Sequence, residues 1–176
     1  MMKNNMKGQA AMEYLMTYGW ALLAIVIVIA ALIYLNPFRA PELCLFQQQG
    51  FSCSEPNPQI YLDSSGEVNM NVRIWNKLGK TVDIAYMACT DAQVSEIDRD
   101  TEATSATGLG TTTIPTGSSE DFIGVPCIHA DGSAVEMSPN QEFRGKLIVW
   151  YAYTDDIAEN IYHESQANVI SVVVGE

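Results

Sequence analysis

Two hydrophobic rhythms divide this chain. From Gln9 to Leu35 the residues are apolar on nearly every helical face, and residues 14–38 carry no charged side chain. A helix over those 27 residues is ~40 Å long at 1.5 Å per residue. A bilayer core is ~30 Å thick, so such a helix can span it with some tilt. An all-round apolar helix belongs in lipid or inside protein, not on a domain surface. Asn36-Pro37 predicts its end, because proline disfavours helix at the preceding residue.

Beyond Pro41 the period changes to two. Val68, Met70, Val72 and Ile74 alternate with Asn69, Asn71 and Arg73, which predicts a half-buried strand. After Asn76-Lys77-Leu78-Gly79-Lys80, Val82, Ile84, Tyr86 and Ala88 alternate again, and the two runs read as a hairpin. Further strands are expected at Gln59–Asp63, at Phe122–Ile128 with a kink at Pro126, from Phe143 through Leu147 to Tyr153, and at Val169–Val174. Residues 39–58 read as linker. The segment from Thr101 to Ser119 holds ten Ser/Thr in nineteen residues and reads as a long exposed loop, open in principle to O-linked sugar. The expected fold class is α+β: an N-terminal transmembrane or filament-core helix, then an all-β domain over 59–176 built as an immunoglobulin-like sandwich.

Composition narrows the chemistry. The formal charge is −12 and the nine basic residues are scattered, which argues against nucleic acid as a partner. Four cysteines, Cys44, Cys53, Cys89 and Cys127, allow three disulfide pairings. Cys44–Cys53 with Cys89–Cys127 is preferred, closing one short loop and one long one. Zinc is the alternative, but only Cys127-Ile128-His129 approaches ligand spacing; reduced, buried thiols are the expectation for a cytosolic domain. Neither His129 nor His163 has a triad context, and no phosphate-binding glycine loop occurs, so no enzyme activity or cofactor is expected. Asp155-Asp156 reads as a turn, and Asp98, Asp100 and Glu102 read as a solvated acidic loop in preference to a weak calcium site.

The junction before the helix carries the sharpest signal. Lys3 and Lys7 precede Gly8, and Glu13 stands just inside the apolar run. The flanking charge predicts a cytoplasmic N-terminus with the rest outside. A cut secretory signal would have a shorter apolar core and a small-residue site after it, which Leu32-Ile33-Tyr34-Leu35 does not offer; a plain single-pass anchor is the other alternative. Glu13 is either solvated at headgroup level or, after a cut between Gly8 and Gln9, one turn from a new amine at i, i+4. Cyclisation of Gln9 to pyroglutamate would remove that amine. Gly19 reads either as a tolerated helix glycine or as a point of close helix approach. Tyr14, Tyr18 and Trp20 suit an interfacial belt or packing within a bundle.

Lys7-Gly8-Gln9 followed by Glu13 and an uninterrupted apolar helix resembles the class III signal peptide of archaeal type IV pilins, across about residues 3–38. The run from Ala11 to Ala21 is also similar to short archaeal surface proteins of that class. The resemblance implies a cleaved leader over 1–8, recognised at Lys7 and Gly8 by a prepilin-type membrane peptidase. It implies Gln9 as the mature N-terminus, an assembly helix over 9–38 and Glu13 at the pilin glutamate position. The implied partners are copies of the chain itself, an assembly ATPase and a membrane platform protein. The implied location is the membrane as precursor, then an extracellular filament used in adhesion. A membrane-anchored binding protein, a minor pilin or pseudopilin, and an archaellin share the same leader type.

Overall fold

The computed structural model describes residues 6–35, 42–53, 55–100, 103–109, 112–156 and 161–175. They fall into two units, Met1–Ala40 and Pro41–Glu176.

The first unit is one helix, α1 (Met6–Leu35). It begins three residues before Gln9, so the backbone is helical through Lys7-Gly8-Gln9, although glycine costs ~1 kcal/mol there relative to alanine. It ends two residues before Pro37, as pre-proline sterics require. Residues 36–38, the end of the expected assembly helix, lie outside the described residues.

The second unit is β-rich. Its strands are β1 (Leu43–Phe46), β2 (Phe51–Ser52), β3 (Gln59–Leu62), β4 (Val68–Asn76), β5 (Val82–Thr90), β6 (Thr104–Ser105), β7 (Thr113–Ile114), β8 (Ser119–Ile128), β9 (Glu142–Tyr153) and β10 (His163–Val174). In one layer the antiparallel order is β1, β10, β9, β5, with β6 and β7 on the far edge of β5. In the other, β4 lies between β8 and the short pair β2 and β3. Two parallel joints fasten the layers: Val173 and Val174 of β10 pair with Ile60 and Tyr61, and Cys127 and Ile128 of β8 pair with Cys89 and Thr90. The strands β3, β4, β8, β5, β9 and β10 therefore close a ring. This corrects the expected immunoglobulin-like sandwich: the layers are not separate sheets but walls of a barrel.

A bulge lets β8 serve both layers. Met70 pairs with Val125 but Val72 with Phe122, so Ile123 and Gly124 together face Asn71. Gly124 takes φ +75°, a conformation costly for a side chain, and its N–H donates to Asn71 Oδ1 at 3.0 Å. The break in the ladder thus falls at Gly124, while Pro126, where the kink was expected, still faces Asn69 in register.

The hairpin expected between β4 and β5 does not form; β4 pairs with β8 and β5 with β9. The intervening turn carries the chain from one layer to the other. Asn76, completely buried, fixes it: its amide donates to the carbonyls of Lys80 and Ile114, both at 2.8 Å, and its Oδ1 accepts from Leu78 N–H. Residues 39–58 are likewise not all linker. They contain β1 and β2, and Cys44, Phe46, Phe51 and Cys53 are buried. The Ser/Thr-rich segment is tied down too, by β6, β7 and the buried Ala106 and Ile114.

Inward residues of all the long strands fill the barrel, among them Ile60, Met70, Ile74, Ile84, Met87, Phe122, Phe143 and Leu147. A second cluster lies on the outer side of β5 and β9, where Ile97 packs with Ala88, Ile128, Ile148 and Trp150. That cover explains why Leu147 to Tyr151 is buried without alternation. Both disulfides sit at the seams. Cys44–Cys53 joins β1 to the residue after β2, and Cys89–Cys127 crosses the β5–β8 joint with its Cα atoms 4.3 Å apart. Loop-closure entropy assigns about 4 kcal/mol to the bond spanning 38 residues and about 2.5 kcal/mol to the one spanning nine. Replacing Cys89 and Cys127 together by alanine is therefore expected to lower the urea midpoint of the full chain in detergent micelles more than the same change at Cys44 and Cys53.

Candidate functional site

Every described side chain from Met12 to Leu35 is exposed. This 24-residue stretch, whose most apolar 18-residue window has a mean hydropathy of 2.5, is long and apolar enough to cross a membrane. Fully burying a large aliphatic or aromatic side chain is worth ~1.5–3 kcal/mol, so the helix is stable only in lipid or against other protein. Glu13 is the one ionisable group other than tyrosine within the stretch, one residue from its start, where a carboxylate costs less than the ~3 kcal/mol charged at mid-bilayer. The Glu13 carbonyl accepts from Thr17 Oγ1 at 2.9 Å. The side chains of Lys7 and Gln9 lie outside the described residues, and so does any pairing of the Gln9 amine with Glu13.

One turn beyond Glu13 the helix surface has relief. Tyr14 and Tyr18 stack at i, i+4, with ring centroids 6.2 Å apart and planes 9° from parallel. A methyl group placed at Gly19 would meet no atom within 4 Å. Met16, Trp20 and Leu23 surround that notch. The space belongs to whatever packs against the helix, which is the setting in which small residues permit close approach.

The cysteines named from the sequence form the two disulfides, in the preferred pairing. His129 Nδ1 meets Asp91 at 2.9 Å at the surface. Asp155 pairs with Lys80 at 2.7 Å, and Asp156 accepts from Tyr153 N–H, so this dipeptide closes a turn. In the acidic loop Asp98 accepts from Asp100 N–H and Asp100 pairs with Arg99, while Glu102 lies outside the described residues. Among the described residues no three His, Cys, Asp or Glu side chains gather as a metal site.

Sequence reasoning missed the outer face of β4. Its outward residues Asn69, Asn71, Arg73 and Trp75 are half-buried and line up with Gln59 and Tyr61 of β3 and Asp121 of β8. Arg73 donates to both oxygens of Asp121, Nε to Oδ1 and Nη2 to Oδ2, each at 2.6 Å. That two-point hydrogen bond holds the Asp121 carboxyl below its ordinary range and raises the Arg73 guanidinium above its own. The two residues are 48 positions apart and only strand register brings them together. The polar alternation of Asn69, Asn71 and Arg73 was the one available signal. Beside the pair lies a cavity of about 240 Å³. The outer face of β5 and β9, by contrast, is covered: Arg99 lies over Tyr86 and Tyr162, 5.9 and 4.9 Å from the ring centroids.

No family model matches this sequence, and no match to a curated protein was found.

Near the first disulfide, Tyr151 packs edge-on against Phe51 and beside Tyr153 and His163. Burial, reinforced by a hydrogen bond with Tyr153, pushes the Tyr151 phenol up to about 12. The unfolded phenol ionises near 10, so its protonated form favours the fold below pH ~10, and that contribution is lost as pH rises toward the folded value. Stability measured by chemical denaturation is expected to fall across this window, and Tyr151→Phe is expected to flatten the fall.

Proposed function

We propose that this chain is the structural subunit of an archaeal type IV pilus, polymerising through its N-terminal helix into an adhesive surface filament. The observation that carries this reading is the helix itself. It is apolar around its whole circumference and exposed from Met12 to Leu35, so its burial must come from lipid or from other chains. Its single carboxylate, Glu13, lies beside a leader-like Lys7-Gly8-Gln9.

On this reading the precursor waits in the membrane with its N-terminus cytoplasmic. A prepilin-type peptidase cuts after Gly8, and an assembly ATPase with a platform protein moves the helix from lipid into the filament. Leaving lipid brings little hydrophobic gain, since lipid tails are as apolar as leucine. Packing around small residues and polar contacts must hold the bundle instead. Gly19 supplies close approach. Glu13 meets the Gln9 amine of its own or a neighbouring subunit and fixes register more than it adds stability. The β-domain, acidic at its surface and closed by two disulfides, suits display outside the cell.

Mass spectrometry of sheared surface filaments is expected to find a mature chain beginning at Gln9; an assembled protein that still carries Met1 would overturn the cleavage. Glu13→Ala is expected to leave the membrane-inserted amount unchanged and to reduce filament yield, measured by electron microscopy and quantitative blotting of the sheared fraction. Yield equal to that of the unaltered chain would remove the register role.

A further inference from the structure

We propose that the cavity on the outer face of β4 is a binding site for a neutral hexose, free or at the end of a glycan chain. Its volume of about 240 Å³ lies below the roughly 300 Å³ at which drug-sized pockets begin, which suits one monosaccharide unit. The polar wall consists of Asn57, Gln59, Asn71, Arg73 and Asp121, and Ile123 lies at the rim.

The charge of the lining selects the ligand. Arg73 and Asp121 neutralise one another, and the other polar lining groups are amides, so the cavity holds no net charge in a chain of −12. An anion would gain no free cation there, and the acidic surroundings would repel it. An amine would find the Asp121 charge already neutralised by Arg73.

What the wall offers is an alternation of donors and acceptors. With Nε and one Nη2 hydrogen committed to Asp121, Arg73 keeps three of its five donor hydrogens. Asn71 spends its oxygen on Gly124 N–H and keeps its NH2 group. Asn57 directs its Nδ2 toward the Glu42 carbonyl, at 3.5 Å, and keeps its oxygen. Gln59 has both ends, and the Asp121 oxygens retain lone pairs. Sugar hydroxyls donate and accept at once, and an alternating array satisfies several of them together where an apolar ligand would leave these groups unpaired. Ile123, 63 % exposed, gives the C–H face of the ring an apolar surface. Strand addition has little room, because β8 lies along one side of β4 and on the other side β3 reaches Asn71 and β2 begins at Trp75. The site is also built: the two-point ion pair and the Asn71–Gly124 bond fix the wall before a ligand arrives, which lowers the ordering cost of binding.

This site gives the adhesive part of the proposed function its ligand class, and it does not require polymerisation. The test uses the full chain, unassembled, in detergent micelles, with glucose, galactose, mannose and glucuronate as probes in saturation-transfer NMR and dextran, galactan and mannan in titration calorimetry. At least one neutral hexose or its polymer is expected to bind, with glucuronate no tighter than glucose. Asn57→Ala with Gln59→Ala is expected to weaken binding at least tenfold. Ile123→Arg, at an exposed position, blocks the mouth and is expected to abolish binding with an unchanged thermal midpoint, which keeps the test valid if the double variant folds poorly. No binding by any neutral probe, tighter binding of glucuronate, or binding unaltered by Ile123→Arg would overturn the site. A filament subunit that retains Met1 would sink the pilin reading and leave these results as they stand.

Discussion

Where Cys89 and Cys127 meet, strands from the two layers run side by side and parallel for only two residue pairs. Backbone hydrogen bonding over so short a ladder is a weak fastening, and the covalent bond lies directly across it. The rest of the barrel depends on this joint. With it closed, β8 bends at the Gly124 bulge, stays on β4 through Pro126 and passes to β5 at Cys127, so the barrel core is enclosed at that seam. The second seam, β10 against β3, is equally short, and nearby Cys44–Cys53 ties the β10 neighbour β1 to the chain beside β4. Each disulfide thus reinforces a place where the ladder is thinnest.

The two units answer opposite demands. The β-domain keeps most of its apolar side chains inside and its charges outside. The helix keeps nothing inside; its stability is a property of its surroundings. The covalent link between them enters the domain at β1, and the bond at Cys44 connects that strand to the opposite layer while bypassing residues 45–52. Tension along the chain is therefore shared between both walls and does not rest on the four-residue ladder of β1 with β10.

Most long strands were legible, because alternation records which face of a strand is buried. It does not record which strand lies alongside. The β4–β5 hairpin was read from two alternating runs and a turn, whereas the buried Asn76 side chain holds that turn open across the layers. Strands β1 and β2, four and two residues long, are too short for a period to show, and only the burial of Phe46 and Phe51 marks them as core. In β9, Ile148 and Trp150 break the alternation because a distant segment around Ile97 covers the outer face. The helix positions Glu13 and Gly19 could be named from sequence alone, since their meaning lies in local context. Arg73 and Asp121 could not, since nothing near either residue points to the other.

The sequence by itself determined the partition of this protein: an apolar segment of membrane length with one carboxylate near its start, then an acidic, β-forming remainder with an even set of cysteines. Those properties depend on composition and on periods of a few residues, which local chemistry sets. Only the tertiary structure decided the closure of the layers into a barrel, the seams that the cysteines fasten, and the neutral polar cavity beside Arg73. Each of these is a pairing between residues tens of positions apart, and register, fixed by the packing of the whole core, is what brings such residues together.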